Sequence, residues 1–278
     1  MKRIVTIQDI SCVGKCSLTV ALPIISAMGV ETAVIPTAVL SAHTAFSNFT
    51  FRDLTQEIPA VARHWKSQDL SFDAIYTGYL GSIEQLELVS QFFDAFKTPE
   101  NLIFLDPVMG DHGKLYAGFQ PAFAGEMAKL CAKADVIVPN LTEAALLLDI
   151  PYPGEDCDQE FLQRILVDLS KLGAKKTILT GVGLTPGKLG VMGYDAETGH
   201  FFHYETHRLP SSFHGTGDIF ASACVGALMN GLDLGGALAL AADFTAESIR
   251  YTLADPAPRW YGVNFEEALP MLIRRLGK

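Results

Sequence analysis

The sequence predicts an α/β fold in which helices cover both faces of a mostly parallel central sheet. Two observations predict it: short apolar or β-branched runs alternate with longer helical patterns along the chain, and one hairpin pattern occurs late. Such alternation is typical of strand–helix–strand units, whose strands pair in parallel. Of the 278 residues 49% are hydrophobic, and no linker or repeat divides the chain, so we predict one domain over residues 1–278.

Six strands are predicted from short runs rich in Val, Ile, Thr and Leu. They are Arg3–Gln8, Ala33–Thr37, Ala74–Thr77, Leu102–Leu105, Val136–Val138 and Thr177–Thr180. The segment Lys188–Thr206 has two alternating runs around a polar Asp-Ala-Glu-Thr-Gly turn, which predicts an antiparallel hairpin at the sheet edge. Near the N-terminus, Phe46–Arg52 is the segment that could extend a short flap.

Nine helices are predicted from apolar residues spaced three and four apart. They are Ser17–Met28, Gln56–Ser67, Ile83–Phe96, Phe119–Ala132, Glu143–Leu148, Gln159–Leu172, Gly217–Met229, Leu234–Leu253 and Phe265–Arg274. The apolar run Ile219–Ala242 is long enough to span a bilayer. Its central glycines and Asp233 instead predict two buried helices joined by a turn.

Composition excludes several partners. The formal net charge is −10 and no run of Lys or Arg is longer than a pair, so we expect neither nucleic acid nor a membrane as a partner. The five cysteines are odd in number and scattered, and the first residues lack the charged-then-apolar pattern of a signal peptide. We therefore expect a cytoplasmic protein.

The stretch Asp9–Pro23 joins a strand to a helix through a glycine turn, and Gly14-Lys15 resembles the end of a P-loop. A P-loop needs a Gly five residues before this one and a Ser or Thr after the Lys. Those two positions hold Asp9 and Cys16. The phosphate site is therefore expected elsewhere in the chain.

A second glycine turn has the properties of an anion site. Gly215-Thr216-Gly217-Asp218 stands immediately before an apolar helix, where free N–H groups and the helix dipole favour a phosphate. A carboxylate there would repel the phosphate unless it accepts a proton from an attacking hydroxyl. The alternative is that Asp218 only complements the helix dipole and that the glycines form a plain turn.

Two further loops place carboxylates just past strands, where ligands of parallel sheets bind. Asp106 follows the strand that ends at Leu105, and Asn140 and Glu143 follow the next predicted strand. Carboxylates are hard oxygen donors, suited to a magnesium ion held mostly through water. For Glu143 the alternative is a helix cap, because Asn-x-x-Glu opening a helix also forms a capping box.

Five segments carry a resemblance to a known family. They are SAHT (41–44), TGYLGS (77–82), DPVMGD (106–111), PNLTEA (139–144) and GTGD (215–218). In this order they resemble the ribokinase-like superfamily and, within it, the pyridoxal kinase family. DPVMG and the Gly-x-Gly-Asp turn are shared with hydroxymethylpyrimidine kinases of thiamine synthesis, so they indicate the reaction. TGYLGS and SAHT are more similar to pyridoxal kinases and indicate the substrate.

The resemblance implies a three-layer α/β/α fold and phosphorylation of the hydroxymethyl group of vitamin B6 forms by ATP with Mg²⁺. It implies that Asp218 is the base and that the turn Gly215, Thr216 and Gly217 holds the transferring phosphoryl group. Asp106 and Glu143 would organise Mg²⁺. The residues implied on the nucleotide side are Asp106, Asn140, Glu143, Thr180, Gly181, Gly215 and Gly217.

On the acceptor side the resemblance implies that Ser11, Thr37, His43 and Tyr79 surround the pyridine ring. It places the turn around Lys15 beneath the vitamin, so Lys15 is expected either near the vitamin or solvated. A homodimer is implied as well, and activation by a monovalent cation is left open. Two alternatives also stay open: a hydroxymethylpyrimidine or hydroxymethylpyrimidine phosphate kinase, and a non-catalytic B6-binding protein.

Overall fold

The computed structural model describes residues 1–210 and 213–278. Within these residues the chain forms eleven strands and nine helices. The strands are β1 Arg3–Ser11, β2 Glu31–Leu40, β3 Phe51–Asp53, β4 Ala74–Thr77, β5 Leu102–Leu105, β6 Gly110–Asp111, β7 Lys114–Leu115, β8 Val136–Ile137, β9 Lys176–Val182, β10 Lys188–Asp195 and β11 His200–His207. The helices are α1 Leu18–Ala27, α2 Glu57–Ser67, α3 Ile83–Phe96, α4 Ala122–Cys131, α5 Leu141–Leu147, α6 Gln159–Ser170, α7 Thr216–Met229, α8 Leu234–Ala254 and α9 Phe265–Arg275.

Nine of these strands form one sheet in the order β11-β10-β9-β8-β5-β4-β1-β2-β3. The six strands from β9 to β2 are parallel, whereas β3 pairs antiparallel with β2 at one edge and β10 and β11 add an antiparallel hairpin at the other. The predicted fold class and the predicted edge hairpin are therefore confirmed. The flap segment supplies β3, which extends the sheet beyond β2.

Two hydrophobic cores cover the two faces of the sheet and make three layers. Helices α2 to α6 pack against one face, in a core that contains Phe92, Phe93 and Phe123. Helices α1, α7, α8 and α9 pack against the other, around Ile24 and Phe244. The apolar run that was long enough for a bilayer forms most of α7 and the first part of α8. No helix among the described residues is long and apolar enough to cross a membrane.

The strand bounds differ from the predicted ones mainly at the N-terminal half of the sheet. β1 continues three residues beyond Gln8 to Ser11, and β2 starts earlier and ends later than the apolar run indicates. A bulge lies in β2 between Pro36 and Val39, opposite Gln8 and Ile10. Polar residues at these strand ends are buried, which hydrophobic periodicity does not reveal.

The topology places a crevice at the carboxyl ends of the parallel strands. Strand β1 pairs with β2 on one side and with β4 on the other, so the chain reverses its direction across the sheet between β1 and β4. Ligands of open parallel sheets bind at such switch points. The loops that follow β1, β4, β5, β8 and β9 therefore border one site, together with the loop that precedes α7.

Candidate active site

The turn before α7 is built as an anion site. Gly215 has φ of 79°, in the left-handed region, and a Cβ there would overlap the carbonyl oxygen of Lys15. The first helical hydrogen bond runs from the N–H of Ile219 to the carbonyl of Gly215. The N–H groups of Thr216, Gly217 and Asp218 precede that bond and lie at the positive end of a fourteen-residue helix. This geometry fits the predicted phosphoryl-holding turn.

Asp218 lies in the first turn of α7 with its carboxylate facing the α1 loop. The backbone N–H of Ser17 donates a hydrogen bond to it. Burial raises the pKa of Asp218 to about 7 against the lowering effect of this bond, and the nearby charge of Asp9 raises it further. A carboxylate that titrates near neutral pH beside an anion site has the chemistry of a general base for an attacking hydroxyl.

The loop from Lys15 to Ser17 supports that turn from the β1 side. Ser17 caps α1 with φ of 49° and ψ of −133°, a conformation that residues other than glycine rarely adopt. This strained backbone directs the Ser17 N–H at Asp218. Such outliers persist where the surrounding structure over-determines them, and they concentrate at functional sites.

Of the two positions expected for Lys15, near the vitamin or solvated, the structure contradicts the solvated one, because the side chain is held in an ion pair. Its Nζ lies 2.8 Å from the Glu266 carboxylate and 3.3 Å from Asn264 Oδ1, both at the start of α9. The side chain is only 16% exposed and packs against Gly262. Lys15 therefore fastens the loop under the active site to the C-terminal helix.

Asp9 is a site residue that was missed as a ligand from sequence. Its carboxylate is buried at the end of β1 and accepts hydrogen bonds from the Ser11 hydroxyl, at 3.1 Å, and from the Ser17 hydroxyl. Burial raises the pKa of Asp9, and the two hydroxyl bonds lower it. The same signal that indicated Asp106, a carboxylate at a strand end, was available for Asp9.

Asp106 and Glu143 face each other across the loops after β5 and β8. Burial and the neighbouring charge of Glu143 raise the pKa of Asp106 well above its usual range, and Asp218 adds to the effect. Burial likewise raises the pKa of Glu143 to about 8. Within residues 1–210 and 213–278, no Lys, Arg or His nitrogen lies within 4 Å of either carboxylate. Such a like-charge pair fits a bound cation.

Glu143 also performs the capping role that was left open. Its two carboxylate oxygens accept the N–H of Met109 at 3.1 Å and the N–H of Asn140 at 2.9 Å, and the Asn140 side chain accepts the Glu143 N–H at 2.9 Å. This is a complete capping box at the start of α5. Asn140 Nδ2 also donates to the Gly110 carbonyl, so the box fixes the Asp106 loop.

Of the nucleotide-side residues at β9, Gly181 borders an open cavity and Thr180 lies next to it in the strand. The Thr180 N–H donates to the Pro139 carbonyl at 3.1 Å, which joins the strand ends of β8 and β9. Gly181 has φ of 69°, and a Cβ placed on it would have open space around it. It lines a cavity of about 460 Å³ with Gly183, Leu184 and Arg208 among others. This cavity has the size of a cofactor pocket.

The predicted acceptor residues lie around the switch point between β1 and β4. Thr37 is buried in the β2 bulge, and Tyr79 follows β4, where burial and the charge of Asp9 raise its pKa. Two buried polar atoms beside them, Gln8 Oε1 and Thr77 Oγ1, have no hydrogen-bond partner among the residues that the structure describes. Unsatisfied buried groups of this kind are typical of a ligand site.

His43 is buried with both ring nitrogens held by the protein. Nδ1 accepts the Ala45 N–H at 3.1 Å, so Nε2 carries the proton and donates to the Tyr261 carbonyl at 3.2 Å. Burial lowers the pKa of His43, and His214 lowers it further. The ring also packs beside Phe46 and Trp260, an aromatic wall that the sequence patterns did not indicate. Only the ring surface of His43 remains for a ligand.

Several known proteins are similar to this chain in sequence and in fold. The phosphomethylpyrimidine kinase family model matches residues 21–256. A Bacteroides thetaiotaomicron structure, provisionally named a phosphomethylpyrimidine kinase, is 42% identical over 98% of this chain and 93% of that one, with a TM-score of 0.94. A second crystal form of that protein contains pyridoxal. Pyridoxal kinase from Lactobacillus plantarum is 32% identical over 99% and 98% of the two chains, with a TM-score of 0.91.

A relative from Schizosaccharomyces pombe, provisionally named a pyridoxal kinase, is 31% identical over 168 residues. The match covers 58% of this chain and about half, 48%, of that relative's length. The fold, the glycine turn before α7 and the carboxylates at the strand ends are together those of a kinase of the ribokinase-like class. The chain belongs to the pyridoxal kinase family of that superfamily, as its motifs indicate.

Proposed function

We propose that this kinase transfers a phosphoryl group from ATP, with Mg²⁺, to the hydroxymethyl group of pyridoxal, pyridoxine and pyridoxamine. The observation that carries the proposal is Asp218, a carboxylate with a pKa of about 7 at the anion-binding start of α7. Pyridoxal in a crystal form of the Bacteroides relative supports the acceptor class.

In this reaction Asp218 accepts the proton of the acceptor hydroxyl as its oxygen attacks phosphorus. The N–H groups of Thr216 and Gly217 hold the phosphoryl group during transfer, and ADP leaves towards β9. The cavity beside Gly181 takes the rest of the nucleotide. Because the phosphates occupy the α7 side, the acceptor ring lies on the β1 side, among Ser11, Thr37, His43 and Tyr79.

The carboxylates of Asp106 and Glu143 fit a bound Mg²⁺ ion. No group of three metal-ligating His, Cys, Asp or Glu side chains occurs in the part of the chain that the structure describes. Asp106 and Glu143 alone would therefore hold the ion, with water and phosphate oxygens as the other ligands. When bound, Mg²⁺ supplies positive charge to the phosphates.

The proposal is tested by measuring ADP release with the three B6 forms and with hydroxymethylpyrimidine, at equal concentrations. We expect the B6 forms to give the higher kcat/KM. The second candidate, a hydroxymethylpyrimidine kinase, is favoured by the family model that the chain matches. A preference for the pyrimidine would establish it, and binding of B6 without ADP release would indicate a non-catalytic binding protein. The homodimer and the cytoplasmic location stay predictions.

Replacing Asp106 with asparagine is expected to raise the Mg²⁺ concentration for half-maximal activity by at least about tenfold, because one of two hard ligands loses its charge. Asp94→Asn is the matched control, since Asp94 is an exposed carboxylate on α3 paired with Lys133. Activity titrations with Mg²⁺ measure both. Equal Mg²⁺ requirements in the two variants would remove Asp106 as a metal ligand.

Replacing Lys15 with alanine is expected to leave the KM for ATP within about twofold and to lower the Tm by about 1–3 °C. The reason is that Lys15 makes a partly exposed ion pair with Glu266, of the kind that contributes about 1 kcal/mol or less. Glu266→Gln removes the same pair from the other side and should lower the Tm similarly. A large loss of ATP affinity in Lys15→Ala would place the nucleotide over β1 instead.

A further inference from the structure

Asp9 is a buried carboxylate to which the proposed phosphoryl transfer assigns no role. Its side chain is 5% exposed at the end of β1, and its neighbours Ser11 and Ser17 both direct hydroxyl donors at it. Asp9 lies two residues before the carboxyl end of β1, and Tyr79 follows β4, the strand that pairs with β1. Its charge also raises the pKa of Tyr79 and of Asp218. It therefore lies within the acceptor half of the crevice.

The chain supplies Asp9 with no opposite charge. Across residues 1–210 and 213–278, no Lys, Arg or His nitrogen lies within 4 Å of Asp9 or of Asp218. The two cations nearest to Asp9 in sequence are paired elsewhere, Arg3 with Glu31 and Lys15 with Glu266. Asp9 is buried and Asp218 is half-buried, and a buried carboxylate without a cation is costly to keep ionised. A positively charged group on the bound acceptor would balance the charge of Asp9.

The position of that group follows from the reaction. The acceptor hydroxyl must be within hydrogen-bond reach of Asp218, about 3 Å. The substituent on the neighbouring ring carbon is then only a few bonds away from the base. With the phosphoryl group on the α7 side, as in the proposed function, the proposal places this substituent towards the end of β1, where Asp9 lies.

We propose that Asp9 is a specificity-determining residue that binds a donor-bearing substituent next to the hydroxymethyl group, and that it favours an ammonium group above all. This inference rests on the proposed function. Pyridoxamine carries an ammonium at that position, whereas the aldehyde of pyridoxal presents only oxygen lone pairs to a carboxylate. An ammonium offers both the opposite charge and three hydrogen-bond donors.

The test compares pyridoxamine with 4-deoxypyridoxine, which share the ring and the hydroxymethyl group and differ by the ammonium. We expect the wild-type kcat/KM for pyridoxamine to be at least about tenfold higher than that for 4-deoxypyridoxine. In Asp9→Asn the ratio of the two kcat/KM values should fall to within about threefold of one, mainly because the KM for pyridoxamine rises. Glu126→Gln is the matched control, because it removes one carboxylate charge from the surface of α4, where Glu126 is half-buried and pairs with Lys129. It should keep the wild-type ratio.

Calorimetric binding of the two compounds to the wild-type protein gives a second readout that does not depend on the variant folding. A wild-type ratio near one in both assays, or an unchanged ratio in a folded Asp9→Asn variant, would overturn the role of Asp9. Failure of the proposed function has a different result: the wild-type protein would phosphorylate neither compound.

Discussion

Replacing Asp218 with asparagine is expected to lower kcat by at least about a hundredfold while the affinity for ATP changes by no more than a few-fold. Asparagine keeps the size of the side chain but cannot accept the proton of the attacking hydroxyl. The N–H groups proposed to hold the phosphates belong to the backbone of the same turn, so they remain in place. Steady-state rates and a direct ATP titration on one preparation measure the two effects separately.

The pH dependence distinguishes a base from a merely structural carboxylate. Only ionised Asp218 can accept a proton, and its pKa is raised to about 7, so the wild-type kcat/KM for the acceptor should rise with pH and level off above about 7. The residual activity of Asp218→Asn should lack this rise. Retained turnover with an unchanged pH profile would show that another group is the base.

Most of the site could be predicted because each signal was local. Asp106 stands between the last strand residue and Pro107, Asn140 and Glu143 form a four-residue cap pattern, and Asp218 follows two glycines. Each pattern lies at the carboxyl end of a strand or the start of a helix, and in a parallel sheet these ends converge. Short sequence patterns were therefore enough to place these residues at one edge of the sheet.

Two features that the sequence did not predict depend on contacts between distant parts of the chain. Lys15 is bound by Glu266, 251 residues away, and His43 by the Tyr261 carbonyl, 218 residues away. No local pattern encodes such pairs. Asp9 is a different case: it directly follows the predicted strand Arg3–Gln8, so the strand-end signal that indicated Asp106 was available, although β1 continues to Ser11.

Replacing Gly215 with alanine is expected to have the second large effect, because two separate features require glycine at this position. Its φ of 79° costs an L-residue about 1–2 kcal/mol, and a Cβ would also overlap the Lys15 carbonyl, a backbone atom that cannot rotate away. We expect the free energy of unfolding to fall by about 2–4 kcal/mol. We also expect kcat/KM to fall by at least about a hundredfold, because the turn must move away from the loop whose Ser17 N–H holds Asp218.

Gly217→Ala is the matched control, because it adds the same methyl group two residues later in the same turn. Gly217 has no left-handed φ, and no atom lies within 4 Å of the place where its Cβ would stand. Its Tm should therefore equal the wild-type value or rise slightly, since alanine is the better helix former. Thermal melts of the two variants decide the point: equal melting temperatures would mean that Gly215 is not held against Lys15. A Gly217→Ala variant that keeps its Tm but loses ATP affinity would indicate that the added methyl group contacts the bound phosphate. Such a contact is expected if the phosphate binds the N–H groups of this turn.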